Sequence, residues 1–197
     1  YGIVSHVDGD YIEQLEWGNI EVFNNYQITQ YNKTAFAAII FEQPALDPHP
    51  DWYPFLRKWC NDNGALLIAD EVVTGLRYAP GGASEKYGIQ PDLVCMGKAL
   101  GNGAAVSALV GRREYMEWFA RNDPVFWSST TNGNANDLAS ANYVLSEWQE
   151  RGAQHVSKLW MLGDRLIEGC QEAFTQLENW TIEGHGARSV FKFPDEV

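Results

Sequence analysis

Cysteine is scarce and poorly placed for structural chemistry. The 197 residues hold three, Cys60, Cys95 and Cys170, with no CxxC pair among them. An odd, scattered set gives neither a disulfide framework nor a cysteine zinc site, and a reducing, cytoplasmic setting is the expectation. Histidine is equally thin: His6, His49, His155 and His185 form no HExxH or other short-spaced pair, so no metal centre is expected. Basic residues number 14 against 26 acidic ones, a net charge of −12. Binding to nucleic acid or to an anionic membrane draws on basic patches, so neither partner is expected. No apolar run approaches the roughly 20 residues that span a bilayer. There is no GxSxG, and hence no nucleophile elbow for a hydrolase triad.

Apolar residues make up 45% of the chain and aromatics 13%, which is ample for a packed core. Continuous apolar runs of strand length occur at 35–41, 65–69, 93–96 and 105–110. Helical patterns are read at 9–33, 52–63, 112–121, 135–150 and 153–178, with Asn63-Gly64 closing the second as a C-cap. The stretch 74–91 is rich in glycine and proline and reads as loop. Continuous apolar strands alternating with helices predict an α/β fold, a mostly parallel sheet covered on both faces. Near 178–180 the pattern changes to short strand-like runs. A domain boundary is expected there, with 1–178 as one unit and 179–197 as the start of another.

Three polar side chains follow three of these runs: Glu42, Asp70 and Lys98. Ligands of parallel sheets bind beyond the carboxyl ends of the strands. Lys98 is the most informative. Lysine is rarely placed beside a buried strand unless it is paired or chemically employed, and here it stands among Gly97, Gly101 and Gly103. An amine at one strand end and a carboxylate at another suit pyridoxal phosphate. The amine forms an imine with the cofactor aldehyde, and the carboxylate keeps the pyridine nitrogen protonated. Taken singly, each residue has a plain structural reading: Asp70-Glu71 as a turn cap, Lys98 as a solvated lysine, Ser128-Ser-Thr-Thr131 as a helix N-cap, Val72 as core. A P-loop is rejected, because Ala99 stands where Ser or Thr must follow the lysine and Asp92 where the opening glycine belongs.

The block Asp70-Glu-Val-Val-Thr-Gly-Leu-Arg77, Gly81-Gly-Ala-Ser-Glu-Lys-Tyr-Gly88 and Pro91-Asp-Leu-Val-Cys-Met-Gly-Lys98 resembles the class III aminotransferases, the fold-type I pyridoxal phosphate group that includes glutamate-1-semialdehyde aminomutase. Asp and Lys are 28 positions apart (70 to 98), and Ser128-Ser-Thr130 ends 32 positions past the lysine (98 to 130). The resemblance covers about residues 35–178. It implies a Schiff base between Lys98 and the cofactor, Asp70 on the pyridinium nitrogen and Val72 against the ring. It also implies that Thr130 binds the cofactor phosphate of a partner subunit, so a homodimer with shared sites is expected. Glu42 would lie near the cofactor's phenolic oxygen or the substrate.

Family members are about twice this long, so the chain is expected to be the central part of the large domain plus the start of a small α+β C-terminal domain, poorly active alone. The run Gly101-Asn-Gly-Ala-Ala-Val-Ser-Ala108 departs from the glycine-rich run of the aminomutases. It favours amino transfer from a small-molecule donor to a carbonyl acceptor over internal transfer in the aminomutase manner. The reading from another class is a non-catalytic cofactor-binding or regulatory module, which would need no imine-forming lysine.

Overall fold

The structure is a computed structural model that describes residues 14–21, 36–121, 128, 130–175 and 180–193. Its centre is a four-stranded sheet in the order β1 (Ala38–Glu42), β2 (Leu66–Glu71), β3 (Leu93–Met96), β4 (Ala108–Gly111). The first three strands run parallel and β4 runs antiparallel to β3. The amphipathic helix α1 (Trp52–Asn63) makes the crossover from β1 to β2 and ends on Gly64 in the left-handed conformation, φ 67°, as the Asn-Gly signal predicts.

Side chains alternate across a strand, so each face of the sheet is a separate surface. One face carries Phe41, Leu67 and Ala69, buried beneath Trp52, Tyr53, Leu56, Trp59 and Cys60 of α1. Leu56 and Leu67 are fully buried, and each contributes about 2–3 kcal/mol by leaving water. The burial also pushes the Cys60 thiol up to about 11. The opposite face carries Ile40, Glu42, Ile68, Asp70, Leu93 and Cys95, in register across β1, β2 and β3. At the other end of the sheet Asp92 is buried. Its carboxylate accepts the Leu67 N–H at 2.8 Å and pairs with Arg57 at 2.9 Å and Arg112 at 3.3 Å.

Several expectations shift. The acids Asp70 and Glu71 belong to β2 itself, which continues past Ala69. The strand expected at 105–110 forms at 108–111, because 101–106 is consumed by turns that follow Lys98. The loop-rich segment holds a short helix, α2 (Gly82–Lys86). The helix expected at 112–121 is a single turn, α3 (Arg113–Met116), continued as a 3-10 turn to Ala120. The two helices expected at 135–150 and 153–178 are one, α4 (Ala135–Ala173). Gly152 does not break it: buried against Pro80, it leaves room a side chain would fill, and Glu147 and His155, 3.7 Å apart, meet across the position. Most of the helix expected at 9–33 lies outside the described residues; within 14–21 only 20–21 are helical.

Beyond α4, β5 (Thr181–His185) and β6 (Arg188–Lys192) pair as an antiparallel hairpin, a sheet of their own. The hairpin docks closely on the rest of the chain. Arg77 Nε donates to the Ala187 carbonyl, Gly186 N–H donates to Asp164 of α4 at 2.8 Å, and Gly163 and Gly186 meet where neither admits a Cβ.

Candidate active site

The parallel strands end together, so the register decides which side chains meet. Glu42 pairs with Asp70, and Asp70 with Cys95. All three therefore point from the same face in one row across β1, β2 and β3. Two acids and a thiol in one row raise the cost of charge there. The Cys95 thiol is pushed up from its ordinary value, first by burial and then by the neighbouring Asp70 carboxylate.

Asp70 is half-buried, and its Oδ1 accepts the N–H of Val72 at 3.0 Å. This local turn fixes the carboxyl direction while leaving Oδ2 without a partner among the described residues. Glu71, one residue on and facing the opposite way, is buried and fully engaged. Its carboxylate accepts the Thr74 hydroxyl, the Ala83 N–H at 2.8 Å and the Ser84 N–H at 2.7 Å. Gly82 makes this possible: its φ is +80°, and a Cβ there would lie 2.3 Å from Glu71 Oε2.

Past β3 the chain turns sharply. Gly97 is buried, and a Cβ on it would sit 3.4 Å from Val72 Cγ1. Lys98 begins a 3-10 turn, Lys98–Leu100, with φ +43°, a left-handed backbone that non-glycine residues seldom adopt. Its side chain is exposed, and its amine has no hydrogen-bond or ion-pair partner among the described residues. Leu100 anchors the turn beneath, packed with Leu76, Ala141 and Val144.

The structure thus brings Asp70, Val72 and Lys98 together at the carboxyl ends of β2 and β3. It places Glu42 in the same row, but with its carboxylate engaged: Arg188 of β6 donates to Glu42 Oε1 at 2.7 Å and to the Gln43 carbonyl at 2.7 Å. Thr130 is exposed, and among the described residues no contact joins it to Asp70, Val72 or Lys98. The N-cap expected from Ser128-Ser-Thr-Thr131 is supplied three residues later. Asn134 Oδ1 accepts the N–H groups of Asn136 and Asp137 at the start of α4. Arg188 was invisible to sequence reasoning, since 146 positions separate it from Glu42. Glu71 could have been read from the Gly81-Gly82 pair that follows it.

The left-handed lysine turn, reached from β2 through the Gly97–Val72 contact, is a strained exposed position rather than a core contact. The donor set fits a pyridine aldehyde phosphate: an acid for the ring nitrogen, a branched apolar side chain for its face and a primary amine for the aldehyde.

The class III aminotransferase family model matches residues 9–197, and the chain belongs to that family. Solved structures agree. FumI from Sphingopyxis sp. MTA144, described in a PLP internal aldimine form, aligns with a TM-score of 0.77 at 22% identity, over 91% of this chain and 44% of that one. Ornithine delta-aminotransferase from Plasmodium falciparum aligns with a TM-score of 0.72 at 22% identity, over 92% and 48%. An omega-transaminase from Sphaerobacter thermophilus aligns with a TM-score of 0.66 at 26% identity, over 81% and 38%. The chain spans less than half the length of each of these proteins. The first two likenesses bear on the fold, which is the fold-type I α/β arrangement expected from the strand pattern.

Proposed function

We propose that the protein is a pyridoxal phosphate-dependent aminotransferase that moves an amino group from a small-molecule donor to a carbonyl acceptor. One observation carries this reading: Asp70 and Val72 lie at the end of β2 against the Gly97-Lys98 turn, with one Asp70 oxygen and the lysine amine unengaged. When bound, the cofactor supplies an aldehyde that captures amines and a protonated ring that accepts an electron pair. Asp70 Oδ2 would hold the proton on the ring nitrogen by direct charge pairing. The Val72 side chain would pack on the ring face and exclude water from it. The Lys98 amine would be the covalent attachment point and, when free, the base that moves the donor's proton. Thr130 holds the phosphate of the partner subunit, so the working unit is a homodimer, and the cytoplasm is its compartment. Glu42, neutralised by Arg188, borders the substrate side.

Transfer between two molecules is favoured over internal transfer because Gly101-Asn-Gly-Ala-Ala-Val-Ser-Ala108 departs from the glycine-rich run of the aminomutases; a separate amino donor would then be required. The test is chemical. The protein from its complete reading frame is loaded with pyridoxal phosphate, reduced with borohydride and digested. The label is expected on Lys98 and is expected to vanish in Lys98→Ala. In Asp70→Asn the label stays while the transamination rate falls roughly 100-fold, as when one preorganised charge is removed. Labelling of another lysine would refute the assignment, and turnover on one substrate with no donor would move it to the aminomutases.

A further inference from the structure

We propose that Ser140 is a positioning residue for Lys98, an inference that rests on the assignment of Lys98 as the reactive amine. The left-handed backbone at Lys98, φ +43°, is unfavourable for a residue with a Cβ, so other contacts must hold it. Within the turn, the N–H groups of Gly101 and Asn102 donate to the Lys98 carbonyl at 3.1 and 3.2 Å. From outside, α4 holds it in two ways. Leu100 is buried against Ala141 and Val144, and the Ser140 hydroxyl donates to the Gly101 carbonyl at 2.8 Å. That carbonyl also accepts the Ala104 N–H at 3.0 Å. Apolar packing resists withdrawal but tolerates sliding; the hydroxyl bond has a direction and fixes register.

Serine is the weaker choice at a helix interior, where alanine is favoured. Ser146 shows the usual accommodation, bonding back to the Asn142 carbonyl of its own helix at 2.9 Å. Ser140 instead reaches off the helix. Its acceptor sits in a crowded place: a Cβ on Gly101 would lie 2.3 Å from the Ala104 carbonyl and 2.8 Å from Val106 Cγ1. The turn therefore has little room to re-form elsewhere once the bond is lost. The same helix is entered through the segment carrying Thr130, so the Ser140 bond sets the lysine turn relative to that segment.

The experiment compares Ser140→Ala, Ser140→Thr and Ser146→Ala in the complete, cofactor-loaded protein. The readouts are the midpoint pH of the cofactor's visible band, kcat and KM for the donor, and the melting temperature. Ser140→Ala is expected to move the midpoint by about half a pH unit or more and to lower kcat about tenfold with KM little changed, as misplacement of a reacting group does. Ser140→Thr, which keeps the hydroxyl, is expected to restore both; Ser146→Ala is expected to move neither. If Ser140→Ala changes only the melting temperature, or if Ser140→Thr fails to restore the band, the proposal is overturned. Borohydride labelling away from Lys98 would overturn the assignment beneath it, and that result is read independently of Ser140.

Discussion

Gly82→Ala is expected to be strongly destabilising, and neighbouring glycines supply its controls. The new Cβ would lie 2.3 Å from Glu71 Oε2, 2.7 Å from its Cδ and 2.9 Å from Oε1, on top of a buried carboxylate. Two costs add. The φ of +80° is unfavourable to any residue with a Cβ, by about 1–2 kcal/mol. Moving the carboxylate breaks at least one of its bonds from the Ala83 and Ser84 N–H groups, each charge-assisted and contributing roughly 1.5–3 kcal/mol. A loss of about 3–5 kcal/mol follows, a large part of a typical domain's 5–15 kcal/mol. Gly88→Ala isolates the backbone part, since φ is +66° and nothing lies within 4 Å of the new atom; about 1 kcal/mol is expected. Gly81→Ala meets only the Glu85 side chain, its movable Oε2 at 2.7 Å and its Cβ at 3.2 Å, and has ordinary φ, so about 1 kcal/mol is expected. Urea unfolding followed by circular dichroism gives all three values. If Gly82→Ala costs no more than Gly88→Ala, Glu71 does not occupy the position described, and the case for Asp70 as the unengaged acid of this pair falls with it.

Two further outcomes are expected. The Glu42–Arg188 pair is partly exposed, so a double-mutant cycle of Glu42→Gln and Arg188→Gln is expected to give a coupling of about 1 kcal/mol or less; a value above about 3 kcal/mol would mean the pair is far better shielded than described. His185 stacks on Trp160 at 4.4 Å and meets Tyr78 edge-on at 5.0 Å, and its pKa is lowered, first by burial, with Lys86 adding to the shift and Asp47 and Asp164 opposing it. The unfolded chain then binds the proton more readily, so the stability from this ring is complete above about pH 6.5. It declines as pH falls toward the lowered folded value. Stability measured from pH 8 to 5 should lose that slope in His185→Phe, and an unchanged slope would refute the assignment.

Much of the sheet was legible because its physics is local. The runs ending in Asp70 and preceding Lys98 are short and continuously apolar, and α1 carries its own stop signal at Asn63-Gly64. Lys98 and Asp70 were legible as candidates because their chemistry and spacing stand out in the chain itself. What could not be read was set by contacts distant in sequence. The continuity of α4 through Gly152 depends on Pro80, some seventy positions earlier. The capture of Glu42 depends on Arg188, and the turn of Lys98 is completed by Ser140 from another element. The N-cap misassignment has a different cause: Ser, Thr and Asn are nearly interchangeable as caps, so a run of four hydroxyl residues outweighed the single Asn134 that performs the task.

Four acids lie at or beside the strand ends, and composition cannot rank them. Their partners can. Asp92 is held by a backbone N–H and two arginines at the far end of the sheet. Glu71 is saturated by a hydroxyl and two N–H groups. Glu42 is matched by Arg188 at 2.7 Å. Asp70 has only the Val72 N–H as a partner among the described residues, and no cation pairs with its half-buried side chain. An acid with unused capacity in a partly desolvated site is costly unless something cationic arrives. Its uncompensated charge also faces the row that ends in Cys95, three positions before the lysine turn. With the other three acids engaged by donors or arginines, Asp70 is the acid placed to gain from a protonated ring nitrogen. That is why Asp70→Asn should disable transfer while the corresponding change at Glu42, already paired, should cost far less.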